Sequence, residues 1–213
     1  MTPGDYIAAA RVPDSVPSQE RGLWTLRRQL ILPGLGWSVV KAIGLGRPHM
    51  TILSRWTDAT IYDGSGFGES VMEDSDRELR KHLPIWMQAR GHVLKTGLGL
   101  GCVVRGLLAK PDVDHVTCIE IDADVLAMVA PEFQGNSRVT LIHADALTWE
   151  PPADLRLDYA WHDIWCEGNV GLAHLHLQLI AKFLPFTKRQ GAWDFPREAK
   201  RAVARAGGMR LIG

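Results

Sequence analysis

His92-Val93-Leu94-Lys95-Thr96-Gly97-Leu98-Gly99-Leu100-Gly101-Cys102-Val103-Val104-Arg105-Gly106-Leu107-Leu108 decides the fold. It reads as a buried strand, a glycine turn and the opening of a helix, a sequence of elements that brings bare backbone against a nucleotide-like ligand. One βα unit later a second apolar run, starting at Val116, ends in Cys118-Ile119-Glu120-Ile121-Asp122. A third strand over 139–143 is followed by Asp145-Ala146, and a fourth over 157–162 by Asp163. Between and after them, helices are expected from Cys102 to about Ala109, over 123–129, 171–184 and 197–206. Strands alternating with helices imply right-handed crossovers and a parallel sheet.

In an open sheet of this kind the ligand lies across the carboxyl ends of the strands, so polar residues just past those ends carry the chemistry. Gly97, Gly99 and Gly101 let backbone approach the ligand, and the helix starting near Cys102 turns its first N–H groups toward a carboxylate or phosphate. Glu120 can accept both hydroxyls of a ribose, with Asp122 as its rival, and Asp145 can accept from the exocyclic amine of adenine while the neighbouring backbone at Ala146 reads the ring. His162 and Asp163 follow at the fourth end. Each acid taken alone also suits a helix cap or a solvated turn.

Composition bounds the rest. The 213 residues are 46% hydrophobic, enough for one core, and 24 Lys+Arg against 24 Asp+Glu leave no global field to recruit nucleic acid or an anionic membrane. A small-molecule acceptor is slightly favoured, although Arg27, Arg28, Lys188 and Arg189 keep an anionic partner open. Cys102, Cys118 and Cys166 lack paired spacing and read as buried thiols, with no metal site. Asp5, Arg11, Asp14, Glu20 and Arg21 interrupt any secretory leader, and the apolar stretch 30–45 is broken by Pro33, Gly34, Gly36 and Gly44, so the reading is cytoplasmic.

The first 74 residues read as an N-terminal extension packed on a core domain of residues 75–213. Pro3, Pro13 and Pro17 suggest a loosely ordered arm over 1–20. Leu23, Leu26 and Leu30 stand at helical spacing, which predicts a short amphipathic helix over 21–32; the other reading is a basic surface with Lys41, Arg47 and His49. Residues 51–56 and 59–62 resemble a hairpin leading into a mobile Gly/Ser loop, with residues 63–70 a candidate lid that replacement of Tyr62 and Glu69 would test. Ser75-Asp76-Arg77-Glu78 has the form of a capping box, and Pro84 marks a second helix start.

On Gly97-Leu98-Gly99-Leu100-Gly101, Ile119-Glu120-Ile121-Asp122 and His143-Ala144-Asp145-Ala146, the chain resembles class I S-adenosylmethionine-dependent methyltransferases from about His92 to Trp165. In wording it is most similar to their spermidine-synthase-like branch. The resemblance implies a Rossmann-like, doubly wound α/β fold with helices on both faces of the sheet. It also implies S-adenosylmethionine as cofactor, held at its amino-acid end by the glycine loop, at the ribose by Glu120 and at the adenine by Asp145. One departure stands out: many members carry in strand one an acid that holds the cofactor's ammonium, and here Lys95-Thr96 occupies that place. Glu69, Glu73 or a backbone carbonyl is left to take that role.

Methyl transfer from a sulfonium is an in-line displacement, so alignment and exclusion of water matter most. The resemblance places Asp163 as leading orienting group or base and His162 as second, yet strand alternation forbids both from facing one way. Exocyclic-amine nucleic-acid methyltransferases usually carry Asp/Asn/Ser-Pro-Pro-aromatic after strand four, whereas this chain has Asp163-Ile164-Trp165-Cys166; cytosine-C5 methylation would want Pro-Cys, so both DNA-base classes are demoted. Aminopropyl transfer is an alternative, though Glu167 suits a polyamine poorly. A non-catalytic cofactor-binding scaffold is another. Gly97 to Cys102 also nearly fits a dehydrogenase fingerprint, but Asp145 has no part in NAD binding. With fifty residues after Asp163, the sheet should be reduced to about five strands, its open edge covered by the N-terminal segment or by a second copy in a homo-oligomer.

Overall fold

The computed structural model describes residues 1–30, 49–57, 68–164, 173–193 and 211–212. The expected strand 59–62, most of the lid, the helix 197–206, Trp165, Cys166 and Glu167 lie outside them.

Two sheets organise the described residues. The first is antiparallel, in the order β1 (Gln19–Arg21), β2 (Trp24–Leu30), β3 (His49–Arg55), β4 (Glu69–Glu73). The second has six strands, all pairings parallel: β5 (Gly91–Thr96), β6 (Val113–Glu120), β7 (Val139–His143), β8 (Tyr159–His162), β9 (Gln190–Ala192) and β10 (Leu211–Ile212), in spatial order β10-β9-β8-β5-β6-β7. The chain runs outward from β5 through β6 to β7, then returns to the other side of β5. That reversal between β5 and β8 is the topological switch point of a doubly wound fold. The sheet has one strand more than expected, because the two-residue β10 pairs with β9 at the edge.

Central strands covered on both faces read as nearly continuous apolar runs. Val93, Leu94, Lys95 and Thr96 are all buried in β5, as are residues 116–120 in β6. The first helix of the large sheet, α4 (Cys102–Leu108), places Val103, Val104 and Leu107 in the core, and α5 (Ala123–Val129) adds Val125, Met128 and Val129. Full burial of such aliphatic side chains contributes roughly 1.5–3 kcal/mol each. Before them, α2 (Asp76–Arg80) is capped by the Ser75 hydroxyl, which accepts from Glu78 N–H, and α3 (Leu83–Gln88) starts with Pro84 in its first turn. The last described helix, α6 (Ala173–Phe183), precedes β9.

The N-terminal third departs from its sequence reading. The expected loose arm contains α1 (Pro3–Ala10), where Thr2 and Asp5 form a capping box and Pro3 sits in the first turn; proline there lacks only an N–H that no helix uses. This helix packs on α4, and Tyr6 stacks on Trp86 with ring centroids 6.5 Å apart. The expected helix over 21–32 is instead β1, a turn at Gly22 and strand β2. Thr25 and Leu26, which point to opposite faces, are both buried, so pairing with β3 overrides the helical spacing of the leucines. Glu69 and Ser70, expected in a lid loop, belong to β4. Asp74, with no exposed surface, ties these pieces together: its carboxylate accepts from Thr51 N–H (2.7 Å) and Val12 N–H (3.1 Å), and its carbonyl from the Arg11 guanidinium (2.8 Å).

Among the described residues, the extension is not paired with an edge of the large sheet. Its sheet packs on α5: Trp24 Nε1 donates to Asp122 Oδ2 at 2.7 Å, Arg21 pairs with Asp124 at 3.0 Å, and Gln19 reaches the Met128 carbonyl.

Candidate active site

A doubly wound sheet takes its ligand over the carboxyl ends of its strands, here those of β5, β6, β7 and β8. At the end of β5, Gly97 turns the chain with φ +79°, its N–H bonded to Ile119 O at 2.7 Å; a Cβ there would stand 2.0 Å from the carbonyl oxygen of Asp163. Only glycine allows that approach, so the residue is required by the crossing of two strand ends as well as by any ligand. Gly99 (φ +54°) is covered by Met72 of β4, whose sulfur would be 2.7 Å from a Cβ and accepts from Leu100 N–H at 3.3 Å. Gly101 is the N-cap of α4.

Glu120 is buried at the end of β6. Its Oε2 accepts from Leu98 N–H (2.6 Å) and its Oε1 from Asp122 N–H (2.9 Å), so the acid is aimed into the glycine loop and both oxygens keep lone pairs for further donors. Asp122 has a different task. It caps α5, accepting from Asp124 and Val125 N–H on Oδ1, while Oδ2 holds Trp24; both oxygens serve the seam between the two sheets. Asp145 is half-buried past β7, with Oδ1 accepting from Leu147 N–H at 2.8 Å, and Ala146 beside it is buried. The Ala144 N–H bonds to Glu120 O at 3.0 Å and so fixes the third strand end against the second.

His162 and Asp163 diverge, as alternation requires. The His162 ring is fully buried away from solvent, between Thr96 Oγ1 at Nδ1 (3.3 Å) and Gln190 Oε1 at Nε2 (3.0 Å), and stacks on Phe183 with centroids 5.5 Å apart. Burial pushes its pKa down to about 4, against the opposing pull of the Gln190 bond. Both ring nitrogens are thus engaged within the core. Asp163 follows the end of β8 and its Oδ2 pairs with Lys95 at 3.0 Å; the lysine side chain is only 2% exposed.

Two contributors escaped the sequence reading. Met72 arrives from another sheet, and nothing local marks it. His82, between α2 and α3, is buried with neither ring nitrogen hydrogen-bonded, packed edge-on to Trp161 at 6.3 Å and tilted against Trp86 at 5.8 Å. Burial lowers its pKa to about 4, while nearby Asp163 pulls the other way. A histidine heading an otherwise apolar His82-Leu83-Pro84-Ile85-Trp86 run is the signal that was available. Cys102 and Cys118 are buried free thiols, their pKa pushed up to about 12 by burial. Among the described residues there is no group of three metal-ligating side chains, and no helix is long and apolar enough to cross a membrane.

The residues fit an S-adenosyl cofactor at its nucleoside end: a buried carboxylate at the second strand end and a half-buried one at the third. They do not offer an acid in strand one, where Lys95 stands.

Similarity to known proteins follows the same outline. Polyamine aminopropyltransferases 2 and 1 of Ralstonia nicotianae are each 29% identical over 140 residues, covering 59% of this chain. The chain spans about a quarter of the length of these curated relatives, 27% and 26%. Among solved structures, the 23S rRNA methyltransferase ErmE has a TM-score of 0.42 at 23% identity, covering 53% of this chain and 43% of its own. A dimethyladenosine transferase from Plasmodium falciparum has a TM-score of 0.37 at 19% identity, covering 49% of this chain and 35% of its own. The family model of ribosomal RNA adenine dimethylases matches residues 84–203, more than half of the chain and all of the crevice from Lys95 to Asp163. The chain belongs to the ribosomal RNA adenine dimethylase family, a class I methyltransferase family whose cofactor is S-adenosylmethionine.

Proposed function

We propose that this protein transfers a methyl group from S-adenosylmethionine to the exocyclic amine of an adenine in RNA. The family match across residues 84–203 carries this reading, and it outweighs the neutral net charge that favoured a small molecule. In this assignment Glu120 holds the ribose hydroxyls, Asp145 and the Ala146 backbone hold the adenine, and the loop turned at Gly97, Gly99 and Gly101 holds the cofactor's amino-acid end. Asp122 is reserved for the seam, and His162 for packing of the fourth strand. When bound, the cofactor supplies an electrophilic methyl group on sulfur.

Asp163 is the residue assigned to the acceptor. With Oδ2 fixed by Lys95, its Oδ1 is left to accept an N–H from the incoming amine and orient the nitrogen lone pair toward the methyl group. Ile164 replaces the proline that usually follows such an acid, so the acceptor amine relies on this carboxylate rather than on a stiff Pro-Pro turn. Residues 1–74 act as an extension of the domain 75–213 and bring Met72 to its glycine loop.

The test is incubation of the protein with methyl-labelled S-adenosylmethionine and unmodified ribosomal RNA, followed by nucleoside analysis. Label in N6-methylated adenosine is expected, and lost in Asp163→Ala. Bound cofactor without labelled RNA would overturn the acceptor. The 29% identity to polyamine aminopropyltransferases favours one second reading, aminopropyl transfer. Decarboxylated S-adenosylmethionine with putrescine would then give a thioether product.

A further inference from the structure

At the switch point the chain builds a site for a cation and fills it with its own side chain. Lys95 Nζ donates to the carbonyl of Thr96 at 2.9 Å, the carbonyl of Gly97 at 2.5 Å and the carboxylate of Asp163 at 3.0 Å, with the Asp163 carbonyl at 3.5 Å. Three short contacts use all three donors of an ammonium. The acceptors belong to the ends of β5 and β8, the adjacent strands between which chain order reverses, where an open α/β sheet holds its ligand. Lys95 itself is central in the sheet, opposite Cys118 on one side and Trp161 on the other, so its head reaches this place from within.

We infer that Lys95 is a resident cation occupying the subsite that would otherwise take the α-ammonium of the cofactor's methionyl arm, so that the crevice recognises the adenosine and the sulfur and gains nothing from the amine. The inference rests on the cofactor reading above and narrows it. A second ammonium directed to the same carbonyls would meet a like charge in a water-poor site, and its carboxylate partner, Asp163, is already paired. Met72 closes on the glycine loop as well, with its sulfur on Leu100 N–H and over Gly99. The chain therefore places a thioether and an ammonium of its own along the glycine loop. The ligand class that suits what remains is an adenosine 5′-thioether, with or without an amino group.

Calorimetric titration of the full chain with S-adenosylhomocysteine and with its analogue bearing hydrogen in place of the amine tests this directly. The two are expected to bind the wild type within about threefold of each other, and 5′-methylthioadenosine alongside them measures what the arm adds at all. In Lys95→Met the carbonyls of Thr96 and Gly97 and the Asp163 carboxylate are released, and the amine should become worth roughly tenfold or more in affinity. A wild type that prefers the amine by roughly tenfold would overturn the inference while leaving the cofactor reading in place. Absence of binding by any of the three at millimolar concentration would remove the cofactor reading and this inference together. Should Lys95→Met fail to fold because Asp163 is stranded, the wild-type comparison alone decides the matter.

Discussion

The two sheets answer to different rules. The large sheet is parallel and its central strands β5 and β6 are buried on both faces, so they are apolar runs fenced by glycine and acidic turns, and the pattern has one reading. The small sheet is antiparallel and partly wet, and in β2 Leu26 and Leu30 fit a strand as well as a helix. What separates them is where the pairing partners sit. A central parallel strand is specified by its own burial, whereas β2 becomes a strand because β3, which begins about twenty residues later, pairs with it from Trp24↔Arg55 to Leu30↔His49.

That contrast can be broken or sharpened by three measurements. The largest effect is expected from Gly97→Ala in the large sheet, where a Cβ would meet the Asp163 carbonyl at 2.0 Å on a left-handed backbone. Loss of about 4 kcal/mol or more in denaturant unfolding is predicted, and a near-neutral variant would show that the strand ends can separate. Next comes acid. His82 and His162 are neutral in the folded protein with pKa values near 4, against about 6.5 when unfolded, so the unfolded chain binds more protons below neutrality. Their contribution is complete above about pH 6.5 and is lost as pH falls toward 4, roughly 3–4 kcal/mol between pH 7 and 5 for the pair. NMR titration checks the cause: two imidazoles should remain neutral at pH 5. The smallest effect is expected at the seam. Trp24→Phe removes the bond to Asp122 and should cost about 1–2 kcal/mol while leaving the denaturant slope unchanged. A separate early transition would show instead that the small sheet unfolds by itself.

Much of the large sheet was legible. The helix 123–129, the strand 139–143 and the two starts at Ser75 and Pro84 correspond to α5, β7, α2 and α3, because caps, prolines and apolar period are local signals. The N-terminal third was not legible in the same way. By residue type Pro3 reads as a breaker, whereas its position in the first turn makes it a helix starter, and the distinction depends on Thr2 acting as the cap.

The order of strand, glycine turn and acid was set by the sequence alone, since each is a short-range pattern that follows from backbone freedom and burial. Which of those polar groups face a ligand was decided by tertiary structure. Asp122 is taken by a cap and by Trp24, His162 by Thr96, Gln190 and Phe183, and Lys95 by Asp163, 68 residues further along the chain. The physical reason is that most buried polar groups are held by a partner, and in a doubly wound sheet that partner arrives through crossovers whose landing point no local pattern encodes.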